Sequence, residues 1–139
     1  MRFMVLVKAS PESEAGRLPT AEELAEMGKY NEELVRAGIL LAGEGLHPSS
    51  KGARVRFDGS GRTVVDGPFS ETKELVAGFW ILQVKSREEV IEWVKRIPFR
   101  EGEVEIRQVF EADDFAPSDP TGELRAAEDR LRREIEARA

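Results

Sequence analysis

"VVDGPFSETKELVAGFWIL" (residues 64–82) decides how the chain is read. Asp66-Gly67 follows a β-branched run and precedes an apolar one, as a two-residue hairpin turn would. However, Pro68, Phe69 and the charged stretch Ser70 to Glu74 intervene before the chain becomes apolar again. A two-residue hairpin returns at once into its partner strand. The stretch is therefore a stiff corner feeding the strongest strand, "VAGFWILQV" (76–84), and the hairpin turn lies earlier, at Asp58-Gly59-Ser60-Gly61. There Val55 and Phe57 alternate with Arg54 and Arg56, the period of a half-exposed strand.

Outward from that corner, "RFMVLVK" (2–8) reads as a buried strand and "SPESEAGRLP" as a loop. Thr20 with Glu23 forms a capping-box pattern. Leu24, Met27, Leu34 and Val35 then share one helical face until Gly38, a helix of about 18 residues. "ILLAGEGL" reads as the next strand and "HPSSKGA" as a loop. After residue 84, Ser86 and Glu89 cap a second helix through Val90, Ile91, Val94 and Ile97, which Pro98 ends. "VEIRQVF" (104–110) is the last core strand. "EADDFAPSDPTG" reads as a linker to an amphipathic tail helix bearing Leu124, Ala127, Leu131 and Ile135, with Glu128–Arg132 and Asp129–Arg133 at i,i+4 spacing.

With hairpin and tail set aside, the order is strand, helix, strand, strand, helix, strand. This is the α+β ferredoxin-like βαββαβ arrangement, with an inserted β-hairpin and a C-terminal helix. Its helices cover one face of the sheet, so the other face calls for a cover; a second copy of the same sheet provides one, and a homodimer is expected. The domain is placed at residues 1–115 and the linker and tail helix at 116–139.

With 139 residues, 40% hydrophobic and 35% charged, the chain suits one soluble domain with one core. A net charge of −6 and no basic cluster interleaved with aromatics argue against nucleic acid as a partner. The absence of cysteine excludes disulfides, thiolate metal sites and a cysteine nucleophile. The apolar run at the N-terminus is too short for a membrane span or a secretory signal, so a cytoplasmic location without membrane contact is expected.

Most candidates for chemistry sit at the corner. Gly67 and Pro68 hold its shape and Phe69 anchors it, so that Asp66, Ser70, Glu71, Lys73 and Glu74 are presented at the start of the strongest strand. Carboxylates and an amine held close together shift one another's pKa, as proton transfer near neutral pH requires. The structural alternative has Asp66 capping the turn and the others pairing on the surface. Ser70 to Lys73 matches a Ser-x-x-Lys pattern, but without the buried helix start that such nucleophiles use.

His47, the only histidine, follows Glu44 by three residues and is either a general base with an orienting carboxylate, half of a metal site, or a solvated loop residue. Tyr30 and Asn31 lie on or beside the apolar stripe of the first helix, either lining a cleft or turning outward. Phe79 and Trp80, adjacent on one strand, face opposite sides of the sheet, and core packing is expected of both. No metal or cofactor is called for.

"DGPFSETKELVAGFWIL", preceded by "AGILLAGEGLHPS" and followed by "EEVIEWVKRIP", resembles the DGPF family of the YCII-related superfamily from about Met1 to Phe115. The resemblance implies a dimeric α/β barrel of ferredoxin-like subunits. Some members of similar fold, a dehydrochlorinase and lactone isomerases, carry a proposed acid–base pair of a first-helix histidine and an aspartate. Here residues 20–38 contain no histidine and the corresponding position falls near Met27, leaving Asp66 as acid or base without that partner. DGPF proteins are also often encoded beside extracytoplasmic-function sigma factors.

The expected function is binding of a small polar or aromatic molecule with proton-transfer chemistry on it, an isomerisation or elimination. The cleft lies between sheet and first helix, lined by Asp66, Glu71, Lys73, Tyr30 and His47, with Asn31, Glu44, Ser70 and Glu74 as further ligand contacts. The alternative is a non-catalytic regulatory or binding module associated with a sigma factor.

Overall fold

The computed structural model describes residues 1–139, which form two compact units, Met1–Gln108 and Val109–Ala139. In the first, strands β1 (Arg2–Lys8), β2 (Leu40–Gly45), β5 (Val76–Gln83) and β6 (Val104–Gln108) form one antiparallel sheet in the order β2-β5-β1-β6. This is the ferredoxin-like order. β3 (Ala53–Asp58) and β4 (Gly61–Asp66) pair only with each other, as the inserted hairpin turning at Gly59, where φ is +58°.

Local chemistry explains the helices. In α2 (Ala21–Arg36) the Thr20 hydroxyl accepts from the Glu23 amide at 3.1 Å and the Glu23 carboxylate accepts from the Thr20 amide at 3.1 Å. These bonds satisfy amides that the first helical turn leaves open. Gly38, at φ +73°, takes the left-handed conformation that releases the chain into β2. In α3 (Arg87–Lys95) the Ser86 hydroxyl caps the Glu89 amide in the same way.

Period-2 alternation sorts β1 and β5. Phe3, Val5, Trp80 and Leu82 point toward α2 and α3, where they bury with Tyr30, Leu34, Ile39, Val84, Val90 and Ile97. Met4, Leu6, Phe79 and Ile81 alternate with them and form the opposite face, half-buried and away from α2 and α3. Phe79 and Trp80 thus lie on opposite sides, as expected.

Three segments depart from the sequence reading. The loop after β1 contains a short helix, α1 (Pro11–Glu14), because the Ser13 amide donates to the Ser10 hydroxyl at 3.1 Å and the Ser10 amide donates to the Ser13 hydroxyl at 2.9 Å. β6 ends at Gln108, and Phe110 lies beyond it, exposed and stacked at 5.0 Å on Phe115. The stretch read as a plain linker forms 3₁₀ turns over Ala112–Ser118. Asp119 is buried after them; its carboxylate accepts from the Leu124 and Arg125 amides and the Arg125 guanidinium at the start of α4 (Glu123–Arg138). Those donors hold the Asp119 carboxyl below the usual range. Along α4, Leu124, Leu131 and Ile135 are exposed. No helix is long and apolar enough to cross a membrane.

Candidate functional site

The corner between β4 and β5 is built by close approach of two backbones. Gly67 lies so near the single 3₁₀ turn at Ser49–Lys51 that a Cβ on it would meet the Ser49 carbonyl oxygen at 1.8 Å. Its amide donates to the Gly52 carbonyl at 3.0 Å, and the Phe69 amide donates to the Ser49 hydroxyl at 3.0 Å. The Gly67–Pro68 peptide is cis. Phe69 packs under Arg54, whose guanidinium carbon is 3.8 Å from the ring centroid. The glycine is required because no side chain fits between two main chains at this distance.

Past Phe69 the chain makes a 3₁₀ turn at Thr72–Glu74, closed by the Glu74 amide on the Glu71 carbonyl at 2.9 Å. That i,i+3 bond folds the chain back on itself, so Glu74 lies beside Glu71 and the two carboxyl groups interact. That contact, and the Glu71 charge, raise the Glu74 pKa above the ordinary carboxylate range; Arg54 and Lys8, the nearby cations, oppose the rise. Lys8 in turn pairs with Glu105 on β6 at 3.2 Å. One end of the sheet therefore carries two adjacent carboxyl groups close to two cations.

Because the folded chain holds the Glu74 proton more tightly than the unfolded one, the pair contributes stability below the ordinary Glu range. That contribution is lost as pH rises through the raised Glu74 value. Above it two carboxylates repel. Glu74→Gln is expected to raise Tm at mildly alkaline pH, where Glu74 is ionised, with the gain shrinking as pH falls through the raised Glu74 value. A variant Tm at or below the parent's at mildly alkaline pH would contradict the pairing.

The other expected site residues are dispersed. Asp66 is exposed at the end of β4, its carboxylate bonded to nothing, and Ser70 and Lys73 are exposed without side-chain partners. Lys73 lies one position off that pair. Glu44 sits opposite Phe79 on edge strand β2, and His47 is exposed in the following loop.

Tyr30 and Asn31 serve the core. The Tyr30 hydroxyl donates to the Trp93 carbonyl at 2.8 Å, and burial pushes its pKa up to about 12. The Asn31 carbonyl accepts from the Trp80 indole at 2.9 Å. The space between sheet and first helix is thus filled by Tyr30, Leu34 and Trp80. Hollows of about 180 Å³, beside Val94, Phe99 and Arg100, and about 510 Å³, between Ile91 of α3 and Ile106 of β6, are lined by none of the expected site residues. No group of three or more His, Asp or Glu side chains is placed to hold a metal. Glu14, absent from the sequence reading, accepts from both the amide and the hydroxyl of Ser49.

The family model described as the YCII-related domain matches residues 1–115. The uncharacterised protein R00369 of Rhizobium meliloti (strain 1021) is 29% identical over 72 residues, 52% of this chain and 58% of that protein. The match thus spans little more than half the relative's length. Among solved structures, 5-chloro-2-hydroxyhydroquinone dehydrochlorinase (TftG) from Burkholderia phenoliruptrix AC1100, in complex with 2,5-dihydroxybenzoquinone, gives a TM-score of 0.45 at 19% identity. That comparison covers 80% of this chain and 95% of the other.

Proposed function

The chain belongs to the YCII-related family, and on that premise we propose that it binds a small polar or aromatic molecule and catalyses proton transfer on it, an isomerisation or an elimination, as a cytoplasmic homodimer. The observation that carries this reading is the 3₁₀ turn that sets Glu74 beside Glu71, with Lys8 and Arg54 close by. A carboxyl whose proton affinity is raised by a neighbouring carboxylate can retain a proton to donate, while that neighbour accepts one. Lys8 and Arg54 would hold an anionic oxygen of the ligand or the negative charge that develops when a proton leaves carbon.

The binding floor in this reading is the sheet face of Met4, Leu6, Phe79 and Ile81, closed by the same face of a second copy. That face offers apolar contact for an aromatic ring, and an isologous pairing would cover it on both subunits at once. Asp66, Ser70 and Lys73 at the corner, with Glu44 and His47 at the edge of β2, are the further contacts such a ligand would meet. Tyr30 and Asn31 support the floor from behind through Trp80.

The test is hydrogen–deuterium exchange, followed by NMR, on a panel of small enolisable ketones and hydroxylated aromatics. The protein should accelerate exchange on at least one class, and Glu74→Gln should reduce that acceleration by about 100-fold or more, the usual weight of a general acid or base. Exchange at the buffer rate across the panel, or full activity in Glu74→Gln, sinks the proposal.

The non-catalytic reading has one observation in its favour. In Val109–Ala139, Phe110, Phe115, Leu124, Leu131 and Ile135 are exposed, an apolar series suited to a protein partner such as a sigma factor. A pull-down with an extracytoplasmic-function sigma factor that recovers no complex counts against it.

A further inference from the structure

We infer that Glu14 is a positioning residue for the Glu71–Glu74 pair, because the short segment from Ala9 to Glu14 ties down both ends of the 69–75 turn. At one end the Ala9 amide donates to the Leu75 carbonyl at 2.9 Å. At the other, the Glu14 carboxylate accepts from the Ser49 amide at 2.9 Å and from the Ser49 hydroxyl, and that same hydroxyl oxygen accepts from the Phe69 amide at 3.0 Å. α1 carries Glu14 between the two anchors, its start fixed by the reciprocal Ser10–Ser13 bonds.

The order of the bonds matters. A serine hydroxyl rotates freely unless its proton has an acceptor. The Ser49 hydroxyl donates to the Glu14 carboxylate, so the oxygen's lone pairs face the Phe69 amide. The acceptor is ionised, and bonds to a charged acceptor are about twice as strong as neutral ones. Both Ser49 donors hold the Glu14 carboxyl below the usual range, so Glu14 stays charged where Glu74, raised by its neighbour, titrates. The latch therefore remains closed while Glu74 titrates. The position of Phe69 then sets where the 3₁₀ turn begins, and so whether Glu74 lies beside Glu71. The groups that face Glu74 are Glu71 from its own turn, Arg54 from β3 and Lys8 from β1. Glu14 acts on it only through backbone position.

This inference rests on the reading of Glu71–Glu74 as the working pair, but its test needs no substrate. The Glu74 side-chain carboxyl is titrated by NMR in the full chain, and exchange of the Phe69 amide is measured in parallel. In Glu14→Ala the Phe69 amide should exchange about tenfold faster, as loss of one hydrogen bond implies, and the Glu74 midpoint should fall toward the ordinary carboxylate range. Glu14→Gln, which keeps an oxygen acceptor, should give smaller changes in both. Ser49→Ala removes the hydroxyl alone and should reproduce Glu14→Ala, which keeps the test available if the latter folds poorly.

A Glu74 midpoint unchanged in both Glu14→Ala and Ser49→Ala, whatever happens to the Phe69 amide, overturns the inference. Failure of the exchange assay on the substrate panel would remove the catalytic reading and leave this titration result standing by itself.

Discussion

Gly67→Ala is expected to destabilise the fold by about 3 kcal/mol, at the upper end of what forced overpacking costs. The added methyl would lie 1.8 Å from the Ser49 carbonyl oxygen and 2.7 Å from the carbonyl carbon, with main chain on both sides. A flexible side chain could move aside, but here one backbone must shift. The shift would break the Gly67 amide's bond to the Gly52 carbonyl and draw the Phe69 amide away from the Ser49 hydroxyl. The control is Gly28→Ala in the middle of α2, where nothing lies within 4 Å of the new methyl. There the substitution should stabilise by about 0.8 kcal/mol through helix propensity. Urea denaturation of both variants gives opposite signs if the corner is built as described. A Gly67→Ala midpoint within error of the parent's would show that the two backbones do not touch.

The difference between those two glycines also measures what the sequence could reveal. The ferredoxin-like order was legible because each strand shows its own apolar run or alternation, and α2 and α3 each start at a Thr or Ser with Glu three residues on. α1 was not legible. Its box uses Ser10 and Ser13, has no apolar stripe, and encloses one turn. The Asp-Gly-Pro-Phe corner was recognisable as stiff, yet its mate, the Ser49 turn, is remote in sequence and carries no pattern that points to it.

The carboxyl pair was half legible. Asp66, Glu71, Lys73 and Glu74 crowd together in the sequence, but which of them meet depends on the turn being 3₁₀, where the period is three. An α-helical or extended path would have paired other residues. Tyr30 and Asn31 were ambiguous because a polar tip beside an apolar stripe reads the same whether it faces a cleft or a buried partner. Only the indole of Trp80, distant in sequence, decides it.

Trp80→Ala should cost about 4 kcal/mol, the range found when a buried aromatic is removed from a core. Trp80 is 7% exposed on the central strand β5, meets Tyr30 edge-to-face at 5.8 Å and 79°, and lies 6.4 Å from Phe99. Its removal takes away the donor for the Asn31 carbonyl at 2.9 Å, so a polar group would lose its partner as well as the core its volume. Trp80→Phe separates the two effects: it keeps most of the ring and loses the indole N–H, and should cost about 1–2 kcal/mol. A third variant tests the packing from the other side. A Cβ on Gly43 would stand 2.9 Å from Cδ1 of the indole, so Gly43→Ala should be harmful in the parent and close to neutral once Trp80 is alanine. Contacting residues are coupled in this way, and distant ones are not. Additivity of Gly43→Ala and Trp80→Ala within error would mean that the indole does not lie over β2, and that Tyr30 and Asn31 are free to face a ligand instead.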